Sequence, residues 1–270
     1  MTSLTADLRT EGEELYNLMK KQPESFWQVK TQFKDWTVWD VIAHLHFSDY
    51  MAMTTAKGEA AFAELAGKVM VYFQNGKGLQ GYARDWLGDI SGPDLLEKWH
   101  ADFLEMCDLF DGTEPDARLK WFGPDMGVRM FATARQMETW AHGQEIYDML
   151  ALDRTDTDRI KNIVVIGVKT FGFCFKTHGK PVPEEAPFVS LTAPSGAEWA
   201  FGEPNSAGSI MGSAAEFAQV VTQTRNIADT GLKVEGDVAN AWMAIAQCFA
   251  GGAEQPPKPG TRFKHATPVV

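Results

Sequence analysis

Trp36-Thr37-Val38-Trp39-Asp40-Val41-Ile42-Ala43-His44-Leu45 and, about ninety residues on, Ala134-Arg135-Gln136-Met137-Glu138-Thr139-Trp140-Ala141-His142-Gly143-Gln144 are the stretches that decide the fold. Both carry apolar residues at helical spacing. In the second, Glu138 and His142 stand at i and i+4, so on a helix their side chains leave one face and can close on a single ion. His44, about two turns into the first helix, offers a third donor from a neighbouring helix. Two imidazoles and a carboxylate suit a divalent transition metal with open coordination positions. The same spacing recurs by chance in many helices, and a histidine on an apolar face is more often a hydrogen-bonded core residue, so spacing alone leaves both readings open.

Outward from these stretches the pattern is mainly helical. Leu4, Leu8, Leu15 and Leu18 predict an amphipathic helix over 3–20. Asp35 and Thr37 offer N-cap oxygens for a helix beginning near Trp36. Residues 56–74 read as helix and the glycine-rich segment from Asn75 as loop. Ser91-Gly92-Pro93-Asp94 reads as a helix start, with Leu95, Leu96, Trp99, Phe103 and Met106 recurring behind it until Gly112. After a loop containing Trp121-Phe122-Gly123-Pro124, a helix over 128–150 carries Glu138 and His142, and another fits 157–177. These define a helical domain over 1–178.

Beyond it the texture changes. Residues 179–187 form a Pro/Glu linker, and strands are expected at 188–192 and 198–201 around a turn at Pro194-Ser195-Gly196. A helix at 214–223, a strand at 231–235 and a helix at 237–249 complete a small α+β domain over 188–250, and 251–270 reads as an irregular tail. The fold class is mainly α with a small α+β unit.

Composition limits the function. Acidic residues exceed basic ones by 36 to 25, the formal charge is −11 and no Lys/Arg cluster occurs, which argues against nucleic acid as a partner. The start of the chain lacks the apolar core of a signal peptide, and the most apolar run, Ile163 to Phe175, is interrupted by Lys169 and falls short of the ~20 residues a bilayer crossing needs. No membrane association is expected. Cys107, Cys174 and Cys248 lie far apart within apolar helical patterns and read as buried reduced thiols, consistent with a cytoplasmic location.

The Trp-Thr-Val-x-Asp-Val-x-x-His-Leu pattern at 36–45, followed by Arg135-x-x-Glu138-x-x-x-His142-Gly143-Gln144, closely resembles the DinB-like superfamily. The nearest match within it is the mycothiol-dependent maleylpyruvate isomerase-like branch, including its metal-binding subgroup. Thr222-Gln223-Thr224-Arg225 and Leu232-Lys233-Val234-Glu235-Gly236-Asp237 look like that branch's small C-terminal α+β domain. The resemblance implies a four-helix bundle holding a divalent metal at one end, with His44, Glu138 and His142 as ligands. Zinc ranks first, with iron, nickel or manganese as alternatives. It also implies a low-molecular-weight thiol brought to the metal, where coordination yields a thiolate nucleophile, and it places Arg225 where an arginine helps hold that thiol. An interdomain or surface salt bridge is the other reading of Arg225.

Several neighbours are candidates for chemistry. Glu145 stands near the face of His142, as a general base or as part of a solvated helix face. Arg135 is close enough to pair with Glu138 or with a substrate carboxylate, or to serve structurally. His46 follows the His-Leu pair but lies on another face of the helix. Asp40, four residues before His44, is placed to accept from its imidazole or to favour the helix dipole, whereas Asp49 lies too far round the helix to reach the same ion. The Trp121–Pro124 loop is the expected wall of a substrate pocket. The function these residues point to is a metal-dependent transferase, isomerase, lyase or hydrolase acting on a small electrophilic molecule. The alternative is a protein that binds metal or a small ligand without turnover. Oligomeric state is left open, a homodimer being one option.

Overall fold

A capping box fixes where the helix carrying His44 begins: the Thr37 hydroxyl accepts from the backbone N–H of Asp40, and the Asp40 carboxylate accepts from that of Thr37. The structure, a computed structural model, describes residues 5–122 and 125–269. Residues up to 146, together with those from 267, form one compact unit, and 147–266 form a second.

The first unit runs through α1 (Ala6–Met19), a 3-10 turn at Glu24–Gln28, α2 (Val38–Ala56), α3 (Glu59–Gln74), α4 (Gly78–Leu87), α5 (Gly92–Asp111), the two-residue strands β1 (Arg118–Leu119) and β2 (Met126–Gly127), and α6 (Val128–Met149), whose last three residues count with the second unit. Helices α1, α2, α5 and α6 make the bundle. Helix α2 is buried on nearly every side, and Val41, Ile42, Leu45, Trp99, Phe103, Phe110 and Trp140 fill the core at 0% exposure. At Gly12 a Cβ would stand 2.2 Å from the Phe103 ring, so only glycine lets α1 settle this closely on α5. Ser91 caps α5, its hydroxyl accepting from the Asp94 N–H at 3.2 Å, with proline in the first turn as the sequence predicts.

Two local features depart from the sequence reading. The segment after Asn75 is not a loop: Gly76 and Gly78 turn the chain at positive φ, and α4 starts at once. Its Leu79, Tyr82, Ala83 and Trp86 pack against Phe47, Met51 and Val69, an amphipathic stripe hidden behind the glycines. Ahead of α2, residues 29–38 form a small hairpin, with Thr31 N–H donating to the Trp36 carbonyl (2.7 Å), Val38 to Val29 (3.0 Å) and Trp36 to Phe33 (2.8 Å). The two residues at its tip, Lys34 and Asp35, both have positive φ, 50° and 58°. That is the signature of a type I′ turn, normally built from Asn-Gly. Substituting Lys34→Asn with Asp35→Gly should therefore raise stability by about 0.5–1 kcal/mol, read as a higher denaturation midpoint. An unchanged or lower midpoint would show that the native turn carries no backbone penalty.

The second unit holds α7 (Lys161–Lys169), α8 (Phe171–Thr177), β3 (Phe188–Thr192), β4 (Glu198–Phe201), β5 (Ser209–Ser213), α9 (Ala214–Val221), β6 (Lys233–Glu235) and α10 (Asp237–Met243). The helix expected over 157–177 is broken at Thr170, whose hydroxyl donates back to the Ile166 and Gly167 carbonyls, both at 2.9 Å. The sheet order is β4-β3-β5-β6, with β3 and β5 parallel and the other pairs antiparallel. Strand β5, with Gly212 inside it, has no sequence signature as clear as those of β3 and β4. Because α7 packs on α9 and α8 on α10, these helices belong with the sheet. The division thus falls after Ile146, earlier than the boundary at 178 expected from composition.

Residues after Gly251 have no regular structure but are tied in: Arg262 donates to the Gln223 carbonyl (2.7 Å), Asn226 to that of Pro257 (2.7 Å), and the His265 N–H to that of Asp148 (3.0 Å). All three cysteines are buried thiols. Among the described residues no helix is long and apolar enough to cross a membrane.

Candidate metal centre

The face of α6 that carries Glu138 and His142 meets the face of α2 that carries His44. Glu138 Oε2 lies 3.2 Å from His44 Nε2 and 3.6 Å from His142 Nε2, and one donor atom from each of the three residues falls within 4.8 Å of the others. A tetrahedral ion with bonds of about 2.0–2.1 Å sets its donors roughly 3.3 Å apart, so the arrangement already has the spacing of a coordination shell. Glu138 and His44 are biased toward the forms a cation needs. Burial works to raise the Glu138 carboxyl, but the His44 hydrogen bond and the charges of His44, His142 and Arg135 outweigh it and hold it down at about 2. Burial lowers the His44 imidazole, and His142 and Arg135 push the same way against Glu138. The donor set therefore fits a divalent cation, and with 23% of Glu138 and 15% of His44 still exposed, there is room for further ligands.

The two imidazoles are backed differently. His142 Nδ1 lies 3.1 Å from Glu145 Oε1, a contact that favours the Nδ1–H tautomer and leaves Nε2 free for the site. Glu145 is 8% exposed, so it is neither on a solvated face nor open to a substrate. It acts on the ring. His44 Nδ1 is buried with no hydrogen-bond partner among the described residues. Asp40, expected as its acceptor, is engaged instead by Thr37 and by Arg84 Nη2 at 2.5 Å. An acidic residue in the first turn of α2 is claimed by the cap before it can serve a ring one turn later.

Two other candidates are placed away from the donors. His46 is fully buried, stacked on Trp86 with ring centroids 5.1 Å apart, and lies 3.7 Å from Asp102. Two residues along a helix is about 200° of rotation, which is why His44 and His46 look in different directions. Burial, only partly opposed by Asp102 and reinforced by Lys98, pushes His46 down to about 4, so it is a neutral core residue and not a base facing substrate. Arg135 pairs with neither Glu138 nor an open face: its Nε donates to Asp49 Oδ1 at 2.7 Å, and Trp99 Nε1 donates to the other Asp49 oxygen at 2.9 Å. This ion pair is buried at both ends. Asp49 takes no part in the donor cluster, as its helical position predicts.

Aromatic rings complete the surroundings. Trp36 lies 5.2 Å from His44 and 5.8 Å from His142, nearly parallel to the latter, and Phe33 meets His142 edge-on at 5.4 Å. Trp121 packs on Phe62, Phe122 and Phe131, while Gly123 and Pro124 lie outside the described residues. The rings on the imidazoles come from the 29–38 hairpin. Trp36 was visible in the sequence next to the cap, but a turn built without glycine gave no sign that it would bring Phe33 alongside.

In the second unit, Arg225 makes a two-pronged pair with Asp148, Nη1 to Oδ2 at 2.7 Å and Nη2 to Oδ1 at 2.6 Å, and Nη1 also donates to its neighbour's carbonyl. The residue before this Thr-Arg segment, Gln223, has a φ of 59° and is buried, its amide donating to the Ala246 and Glu254 carbonyls.

Comparison with known proteins fits this picture. Residues 8–147 match the family described as mycothiol maleylpyruvate isomerase N-terminal domain. Two uncharacterised proteins of Mycobacterium tuberculosis, from strains CDC 1551 and H37Rv, are each 35% identical to the chain over 246 residues, covering 91% of it and 95% of the relative. Crystal structures of the mycothiol-dependent maleylpyruvate isomerase and of a mutant of it align with a TM-score of 0.52 at 12% identity, over 82% of this chain and 91% of theirs, which establishes a shared fold. With the bundle, the small mixed sheet and the His-Leu and Glu-x-x-x-His segments in their expected order, the chain belongs to the mycothiol maleylpyruvate isomerase N-terminal domain family, on a DinB-like scaffold.

Proposed function

We propose that the protein is a metal-dependent enzyme, an isomerase or transferase that uses a low-molecular-weight thiol to act on a small electrophilic organic molecule. The observation that carries this is the convergence of His44, Glu138 and His142 within 4.8 Å, in a chain whose family is named for a thiol-dependent isomerase. A divalent cation bound there would lower the pKa of a thiol and supply a thiolate at neutral pH. The chain's own residues prepare for it. Glu138 provides the one negative charge of the donor set, Glu145 holds the tautomer and orientation of His142, and the buried α2–α6 contact keeps the donors together. Arg225 is the proposed anchor for an anionic group of the thiol. With its terminal nitrogens already on Asp148, such an anchor would use Nε or share the pair.

The reading is tested on protein purified without a metal-binding tag. Elemental analysis should find about one divalent metal per chain, and glutathione or mycothiol added to cobalt-loaded protein should produce a sulfur-to-cobalt absorption band. Absence of bound metal after incubation with zinc or cobalt would remove the metal. A cobalt spectrum unmoved by both thiols would remove the thiol and leave a metal site of another purpose.

The support of His142 makes a further prediction. Glu145→Gln keeps the shape but weakens the hold on the Nδ1–H tautomer, and metal affinity should fall by about 10–100-fold, as is usual for such outer partners. A competition titration against a chelator measures it, and unchanged affinity would mean that His142 is oriented by packing alone.

A further inference from the structure

The hairpin ahead of α2 has no part in the donor set, yet it reaches that set with two rings. Its tip is the segment Phe33-Lys34-Asp35-Trp36, with Lys34 Nζ over the Phe33 ring, 5.2 Å from its centroid. Lys34 and Asp35 are exposed, with Lys30 3.7 Å from the Asp35 carboxylate. Phe33 and Trp36 are half-buried and sit at 79° to each other, ring centroids 4.9 Å apart. Trp36 is nearly parallel to His142, at 9°, whereas Phe33 stands at 71° to it. Trp99, Trp140 and Phe103, which fill the core, are fully buried. These two keep part of their surface open beside partly open donors, and the backbone that presents them adopts positive φ at two consecutive non-glycine residues. Strain of that kind persists where the surrounding structure has a use for the conformation.

We propose that Phe33 and Trp36 are the specificity-determining residues of this site, selecting ligands whose metal-binding group carries a flat aromatic or conjugated portion. A group bound by the donors of α2 and α6 emerges next to the imidazoles, and the hairpin rings line that exit. A planar substituent can meet one ring in an offset stack and the other edge-on, the two arrangements that π systems favour, whereas an alkyl substituent gains area alone. The gain from one such aromatic contact corresponds to a factor of about ten in affinity. The inference rests on the metal reading of the site and is independent of whether the ligand is a thiol.

The experiment uses the full chain loaded with cobalt and titrated with acetohydroxamic acid and benzohydroxamic acid, metal-binding probes that differ in a methyl against a phenyl group. The native protein should prefer the phenyl probe, and Trp36→Leu combined with Phe33→Leu should reduce the ratio of the two dissociation constants about tenfold. Leucine keeps apolar volume on the hairpin. Trp36→Phe, which retains a ring, should keep most of the preference, and it serves as the measurement if the double variant does not fold. Cobalt affinity should stay within about threefold throughout, because the donors are untouched. An unchanged ratio in the double variant, or a loss of ratio that merely follows a collapse of cobalt affinity, would overturn the assignment, the latter by showing that the rings only brace the imidazoles. Failure of the native protein to take up cobalt would overturn the metal reading and this one together, whereas cobalt uptake without ring preference would overturn this one alone.

Discussion

Glu138→Gln should leave the fold in place and remove most of the rise in melting temperature that zinc gives the native protein. The substitution is nearly isosteric at a position 23% exposed, so little packing is lost, but it removes the single carboxylate donor between two imidazoles. At free zinc about a thousand times the dissociation constant, binding to the folded state alone stabilises by about 4 kcal/mol. For a unit of this size that is roughly 8–16 °C. The Gln variant, with an amide oxygen that is a much poorer ligand for zinc, should bind far more weakly than the ~100-fold loss expected for an outer partner, and its shift should shrink to a degree or two. His44→Ala should behave the same way. His46→Ala should not: it removes a buried ring packed on Trp86 and lowers stability, but the zinc-dependent increment should survive intact. Differential scanning with and without zinc reads all three. A full shift in the Glu138 variant would mean that zinc binds elsewhere on the chain.

The contrast between His44 and His46 shows what the sequence could and could not convey. Helical phase separates the two, and Glu138 with His142 follows from i, i+4 spacing, because a regular helix converts sequence distance directly into direction. The N-cap at Thr37 and the start of α5 at Ser91 are equally local and were readable for the same reason. What escaped depends on competition between partners. Asp40 was placed to back His44 or to favour the helix dipole, and it closes the capping box with Thr37 instead; Arg135 had Glu138 three residues away and took Asp49 from another helix. The hairpin escaped because its turn lacks the glycine that normally announces positive φ, and α4 because the glycines before it announced a loop. The boundary at 178 followed a change in composition, while the actual division follows packing, which places α7 and α8 against α9 and α10.

Arg135 and Asp49 give the second large effect. Both are buried, at 4% and 0% exposure, and the carboxylate is further held by Trp99. Burial raises the Asp49 pKa and outweighs the opposing Arg135 and Trp99 contacts, so the 2.7 Å contact with Arg135 is what the ionised carboxylate depends on. Removing either partner alone strands a charge in the core. Arg135→Met and Asp49→Asn should each cost about 3–5 kcal/mol in chemical denaturation. The double variant should recover a large part of that loss, because Asn still accepts from Trp99 and no lone charge remains. The pair also faces the donors: Arg135 helps hold Glu138 ionised, and Asp49 and Glu138 repel each other. The two single variants should consequently move metal affinity in opposite directions while both lower stability. Arg135→Met leaves an extra negative charge beneath the site and should tighten zinc severalfold, whereas Asp49→Asn leaves an extra positive charge and should weaken it. The double variant, neutral like the native pair, should return to the native affinity. Chelator competition at fixed pH and salt distinguishes this from a scaffold effect, since a merely loosened bundle would weaken zinc binding in both single variants alike.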